Sequence, residues 1–335
     1  MKSSRAPTPH AVIQPKPGIG DVIWHLPFIR AIAAVSPGGQ VTFLAPPTSG
    51  ARELLAAEPA VAETLYFQHS GSELQRGVNL VRLVALLHRC RFEKIWILDR
   101  TIRPALAAFL AGIPERIGVG LTGQRRFITN AGIGQSHFHD HPIGWLHELM
   151  SVMNVPLPES ELDLPIPNAT LQEIDANFGP CERPWIVLGI GASHPVRDWS
   201  DRCWAEFVAR LRQQTGGTLF LIGGSANKAR AQSFIDDSDG AAAINACGLR
   251  LGESLGLLHR ADLFVGTDSG PMNMAVAAGT PAFAMFGINP VLTYSKHIHP
   301  IVPEGGPAPD GMTRILPAQV LEQVRPYLSQ RKQRA

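Results

Sequence analysis

The chain has 335 residues, 45% of them hydrophobic and 17% charged. That length fits about two domains, and the hydrophobic share excludes disorder over most of the chain. Lys+Arg 30 against Asp+Glu 28 leaves a net charge of +2, too balanced for a dedicated nucleic-acid binder.

The predicted elements alternate from the start. Ala11–Gln14, Val41–Ala45, Thr64–Phe67 and Ile95–Leu98 read as short buried strands. Helix candidates lie between and after them at Val22–Val35, Ala51–Ala57, Leu80–Cys90 and Ile102–Ala111, with a further helix at Ile143–Met153. This βαβα order implies a parallel sheet with helices on both faces. Pro156–Pro167, rich in Pro and acidic residues, reads as an interdomain linker.

A second series follows: strand Trp185–Ile190, a helix capped by Ser200 and running to Gln214, strand Leu219–Ile222, helix Ala226–Ile235, strand Leu263–Val265, helix Pro271–Ala278 and strand Ala282–Phe286. An amphipathic helix, Gln319–Ser329, closes the chain before a basic tail. The expected fold is α/β, with two doubly wound domains facing each other across a cleft. Ligands of such sheets bind beyond the carboxyl ends of the strands.

The four cysteines, Cys90, Cys181, Cys203 and Cys247, form no CxxC pair. Reduced thiols in a cytosolic protein are expected, rather than a disulfide scaffold or structural zinc. No apolar run reaches the ~20 residues of a membrane span, and the polar N-terminus does not suggest a signal peptide.

Three segments carry chemistry. The first is Pro17-Gly18-Ile19-Gly20-Asp21-Val22, where Gly18 and Gly20 let the backbone turn close to a ligand. Ile23 stands where a dinucleotide fingerprint needs glycine, which disfavours a nicotinamide enzyme. Asp21 is either a helix cap held by the helix dipole or a general base presented at the cleft. Trp24 next to it is expected to be packed, and His25 could orient an acceptor.

The second segment runs from Gly189 to Ser200, with Ser193 in a small-residue loop and Arg197 able to fork onto phosphate oxygens. The third, and the most specific, runs from Val265 to Met274. Asp268 or Ser269 caps the next helix there, Pro271 suits its first turn, and the Ser269 and Gly270 amides suit a diphosphate bound without metal.

Together these segments resemble glycosyltransferase family 9, the ADP-heptose:lipopolysaccharide heptosyltransferases. The resemblance is carried by GIGDVIWHLPFIRAI, GIPERIGVG, GASHPVRDWS and ADLFVGTDSGPMNMAVAAGTPAFAMFG, and it spans about residues 11 to 290. It implies a GT-B architecture and inverting, metal-independent transfer of a heptose or similar sugar from a nucleotide sugar, with ADP-heptose as donor, to a hydroxyl of a lipopolysaccharide-type acceptor. Asp21 then matches the family's base. Gly18, Gly20, Ser193, Arg197, Glu253, Asp268, Ser269, Gly270, Pro271 and Met272 fall on the donor side. Arg197 replaces the family's usual lysine, and Asn273 its usual histidine. Ser225-Ala226-Asn227-Lys228 stands where an acidic stretch is common.

Arg103, Arg125 and Arg126 could meet an anionic glycolipid or other glycan acceptor. The resemblance divides the chain into an N-terminal Rossmann-like acceptor domain, residues 1–165, and a C-terminal Rossmann-like donor domain, residues 166–315. A helix and tail follow at 316–335, able to pack back on the first domain. No metal and no cofactor beyond the donor is implied. A cytoplasmic location is expected, with peripheral contact at the inner face of the bacterial inner membrane allowed.

The rival readings are a transferase using another nucleotide sugar or a protein acceptor, and an inactive nucleotide-sugar binding protein. SHFHDHPIGWLH, with His137, His139, Asp140, His141 and His147, reads as a polar loop entering a helix, with metal or acceptor binding as alternatives. Asp237-Ser238-Asp239 reads as a helix-terminal surface loop rather than a metal-binding D-x-D.

Overall fold

A computed structural model describes residues 9–68, 70–139, 142–158, 162–192 and 194–332. The chain divides into two compact units, Met1–Ser160 and Glu161–Ala335.

The first unit holds strands β1 (His10–Ile13), β2 (Val41–Ala45), β3 (Val61–Tyr66), β4 (Lys94–Ile97) and β5 (Glu115–Gly118). All pair in parallel, in the order β3-β2-β1-β4-β5. The helices are α1 (Ile19–Ala34), α2 (Ala51–Leu54), α3 (Glu73–Cys90), α4 (Ile102–Leu110) and α5 (Pro142–Val152). The order reverses between β1 and β4, so the chain leaves these two central strands in opposite directions. In doubly wound sheets, that switch point is where ligands bind.

Why these segments fold so is local. β1, β2 and β4 are apolar runs buried on both faces, as central parallel strands require. α3 starts at a Ser72/Gln75 capping box, where the Ser72 amide donates to Gln75 Oε1 at 2.8 Å. Its inner face, Leu83 and Leu87, packs with Ile95, Ile97 and Ala105 in one core.

The second unit holds β6 (Trp185–Gly189), β7 (Thr218–Ile222), β8 (Ala242–Asn245), β9 (Leu263–Thr267), β10 (Ala282–Met285) and β11 (Ile298–Ile301). They form one parallel sheet, ordered β11-β10-β9-β6-β7-β8. Its helices are α6 (Asn168–Phe178), α7 (Asp201–Gln214), α8 (Lys228–Asp236), α9 (Leu251–Arg260), α10 (Gly270–Ala277), α11 (Gly311–Arg314) and α12 (Pro317–Lys332). The switch point here lies between β6 and β9. Ser200 caps α7 as expected, accepting from the Cys203 amide at 3.3 Å.

The buried residues of α12, Val320, Leu321, Val324 and Leu328, belong to the second unit's core. They share it with Trp204, Phe207 and Leu211 of α7, and Arg325 reaches Gln214 Oε1 at 2.6 Å. The Pro-rich stretch, in turn, is not all spacer: Leu162 and Leu164 are buried, and the Leu164 amide donates to Ala277 O at 2.8 Å.

All four cysteines are free thiols. Burial pushes the Cys247 thiol up to about 11, so it is an inert core group. Among the described residues, no helix is long and apolar enough to cross a membrane.

Candidate active site

In the first unit, the loop after β1 delivers Asp21 into the first turn of α1. The Asp21 carboxylate turns back on its own loop: Oδ2 accepts the Gly18 amide at 3.1 Å. Gly18 permits this because a Cβ there would stand 2.6 Å from Oδ2. Gly18 has φ −83 and ψ 147, which any residue adopts, so the glycine serves close approach rather than an unusual backbone. Gly20 sits half-buried one residue before Asp21.

Burial pushes the Asp21 carboxyl above the ordinary aspartate range, against the pull of Lys16, His25 and the Gly18 amide; Asp99 adds to the rise. A carboxylate held in this way is a stronger proton acceptor than a free one. The capping reading of Asp21 has its hydrogen bond from the Gly18 amide, and the raised proton affinity is compatible with the base reading.

His25 is corrected. Only 2% exposed, it cannot orient an acceptor. Its Nε2 donates to the Leu98 carbonyl at 3.1 Å, and Nδ1 faces the Asp21 carbonyl. Trp24, expected to be packed, is half-buried.

The end of β4 does not stand out in the sequence. Asp99, 4% exposed, caps its own turn by accepting the Thr101 amide at 2.7 Å. Buried Gln124 ties that turn to the next loop: its Nε2 donates to Asp99 O at 2.9 Å, and its Oε1 accepts the Gly120 amide at 2.8 Å. A buried polar pair beyond strand ends was the available signal.

Arg103, Arg125 and Arg126 are all exposed. Arg125 is held in place by donating to Gly120 O at 3.2 Å and Ile133 O at 2.7 Å, so its charge has a fixed position. The histidine segment is partly structural. His147 packs edge-on against Phe28 at 5.3 Å, and Trp145 Nε1 donates to His137 O at 2.7 Å. Asp140 and His141 lie outside the described residues.

In the second unit, β6 ends at Gly189, where a Cβ would meet the Phe264 ring at 2.5 Å. Gly191 follows with φ +85, a conformation that favours glycine. Ser193 lies outside the described residues. Arg197 is exposed at the end of a short turn whose next residues are fixed by Arg230. Arg230 Nη1 pairs with Asp198 at 2.5 Å, Nε with Asp201 at 2.6 Å, and Nη2 donates to Trp199 O at 3.0 Å.

β9 delivers Asp268 and Ser269 to the start of α10. Neither side chain caps the helix, contrary to expectation. Ser269 is the cap residue by position, but its hydroxyl donates to Thr267 O at 3.2 Å. The Asp268 carboxylate accepts from Asn289 Nδ2 at 2.7 Å. The helix therefore starts at Gly270 without a side-chain acceptor on its first amides, which suits an anion. Burial pushes the Asp268 carboxyl up, against the Asn289 hydrogen bond and the Arg197 charge. Arg197 follows β6 and Asp268 follows β9, the two central strands of this sheet.

Pro271 stands in the first turn. Met272 is fully buried, so only its backbone can meet a ligand. Asn273 is buried too, with its amide donating to Ser269 O at 2.9 Å and its oxygen accepting from Tyr294 at 2.5 Å. Asn289 and Tyr294, missed from sequence, sit in the loop after β10; polar residues just past a buried strand were the signal.

Glu253 lies in the first turn of α9, with Oε2 accepting the Arg250 amide at 2.7 Å and Oε1 paired with the Arg250 guanidinium at 2.8 Å. These bonds to Arg250 hold its carboxyl below the usual range. Asp237-Ser238-Asp239 closes α8 as a surface turn, with Ser238 held by Arg212 Nη1 at 2.8 Å. Among the described residues, no group of three or more His, Cys, Asp or Glu side chains is placed to hold a metal.

Two parallel α/β units with these strand orders have the GT-B fold, with a half-buried carboxylate beyond β1 and an uncapped helix start beyond β9. Residues 80–301 match the model of Glycosyltransferase family 9 (heptosyltransferase), and the chain belongs to that family. The chain is 23% identical over 342 residues to Lipopolysaccharide heptosyltransferase 2 of Escherichia coli (strain K12), covering 93% of this chain and 96% of that protein. Its fold resembles the solved E. coli ADP-heptose LPS heptosyltransferase II, with TM-score 0.75 and 21% identity, over 96% of this chain and 99% of that one. A family 9 glycosyl transferase from Veillonella parvula superposes with TM-score 0.78 at 18% identity, over 96% of this chain and 97% of that one.

Proposed function

We propose that the chain transfers a heptose, with inversion and without metal, from ADP-heptose to a hydroxyl of a lipopolysaccharide-type acceptor. The observation that carries this reading is the Asp21 carboxylate, half-buried and seated on the Gly18 amide beyond β1. An inverting transferase needs one base, because the nucleoside diphosphate is already a good leaving group.

In this reading, the first amides of α10, from Gly270, and the Arg197 guanidinium stabilise the charge that develops on the departing diphosphate. Preorganised electrostatics of this kind usually contributes more to the rate than any other single effect. Asp268, Ser269 and Pro271 shape that turn, Gly18 and Gly20 let the first loop approach the ligand, and Glu253 sets the start of α9 on the donor side. Asp21 removes the acceptor proton as the oxygen attacks the anomeric carbon. Arg103, Arg125 and Arg126 attract an anionic acceptor.

The donor names of the relatives support ADP-heptose. Asn273 favours a second reading, another nucleotide sugar, because the residue that stands in place of the family's histidine spends its amide on Ser269 and Tyr294. Incubation with ADP-heptose, other nucleotide sugars and a truncated lipopolysaccharide acceptor tests both, with and without chelator. Heptose addition that survives the chelator, with the anomeric configuration opposite to that of the donor, is expected. Transfer only from another sugar nucleotide would replace the first reading with the second.

A further inference from the structure

Pro15 follows Gln14 directly at the end of β1. The register pairs Ile13 with Ile97, and the Leu98 amide donates to Ile13 O at 3.0 Å. In a continuing parallel ladder, the Leu98 carbonyl would next accept the amide of residue 15. Proline has no such amide. A buried carbonyl at the centre of the sheet is thereby left without its ladder donor, a costly state unless another group serves it.

His25 is that group, with Nε2 at 3.1 Å from the Leu98 oxygen. A carbonyl can only accept, so this contact is a hydrogen bond when Nε2 carries the proton. Nδ1 faces the Asp21 carbonyl, which the helix ladder already assigns to the amide of residue 25. The ring therefore bridges two places that matter, the turn of α1 bearing Asp21 and the end of β4 that leads into Asp99.

We propose that His25 is a positioning residue: its Nε2–H occupies the acceptor that Pro15 abandons and so pins the Asp21 turn to the end of β4. This rests on the reading of Asp21 as base. The charged groups around the pair are Asp21 on its own helix, Lys16 in the preceding loop and Asp99 after β4. A loosened turn changes the distances of Asp21 from Lys16 and Asp99, so its proton affinity moves along with its position.

The test compares His25→Leu, which removes the donor, with His25→Gln, which keeps an N–H of similar reach. Displacement of a reacting group by about 1 Å costs on the order of 100-fold. The expected result for His25→Leu is a kcat loss of about 10- to 100-fold with donor KM within about twofold. The acid limb of its kcat profile should move to higher pH, and His25→Gln should recover most of the rate. In the unmodified protein, nitrogen NMR of the imidazoles should find His25 protonated at Nε2.

A folded His25→Leu enzyme with unchanged kcat and pH profile overturns the proposal. So does a proton on Nδ1 alone, or equal losses in both variants with an unmoved profile. If His25→Leu fails to fold, the glutamine variant and the NMR tautomer decide. Asp21→Asn run alongside separates the two failures. An active Asp21→Asn enzyme sinks the base reading, whereas an inactive one beside a normal His25→Leu enzyme sinks only this inference.

Discussion

The Asp21 carboxylate rests on the Gly18 amide at 3.1 Å, and a methyl group at Gly18 would stand 2.6 Å from the same oxygen. The backbone at Gly18 would accept alanine, so the side chain of Asp21 must yield instead. Gly18→Ala should therefore leave stability within about 1 kcal/mol of the parent, the scale of a small local shift. Its kcat should fall by about 10- to 100-fold because the base is displaced. Thermal unfolding and initial rates check the pair; a rate loss that merely follows lost stability would contradict it.

Asp21 has a folded-state proton affinity raised mainly by burial, which gives two linked signs. As a base it must be ionised, so activity should be lost as pH falls through a value above the ordinary carboxylate range. For stability, a carboxyl whose folded pKa is raised costs stability above that pKa, and the cost is relieved as pH falls towards the unfolded value. Asp21→Asn should therefore be at least as stable as the parent at neutral pH. Calorimetric unfolding at neutral pH and at acid pH checks this; a large destabilisation would refute it.

Arg197 is exposed and its charge bears on Asp268. Arg197→Ala should weaken donor binding by about 10- to 100-fold, the range for one charged hydrogen bond. Arg197→Lys should lose less, keeping the charge without the fork. Isothermal calorimetry with the donor decides, and equal affinity in all three proteins would remove Arg197 from the site.

Asn289 supplies the hydrogen bond to the half-buried Asp268 carboxylate. Asn289→Leu leaves that carboxylate without its amide partner, at a cost of about 1–3 kcal/mol. Part of the cost should disappear when Asp268→Asn is added, because the unpaired charge is then gone. A double-mutant cycle on unfolding free energy measures the coupling; strict additivity would show the contact to be inconsequential.

What was legible in the sequence follows from burial. β1, β2, β4, β6, β7, β9 and β10 are apolar runs or close to it, and each lies within a few residues of its predicted limits. The strands that went unread, β5 (ERIG), β8 (AAIN) and β11 (IHPI), are sheet edges carrying charged, exposed or proline residues. One paired side gives them no continuous apolar run to read. α6 escaped for a similar reason, since only Ile174 of its 11 residues is fully buried. In the sites, Asp21, Arg197 and the Asp268–Met272 turn were readable because glycine, proline and charge mark them locally. Asn289, Tyr294, Asp99, Gln124 and the anchoring role of His25 were not, because each acts through a partner from 4 to 73 residues away along the chain.

The central claim is that one carboxylate, Asp21, takes the acceptor proton. The most direct measurement is the turnover of Asp21→Asn beside its donor affinity. Loss of a positioned general base should lower kcat by about 100- to 10,000-fold, with donor affinity unchanged. Turnover near the parent rate in a folded Asp21→Asn enzyme would contradict the account.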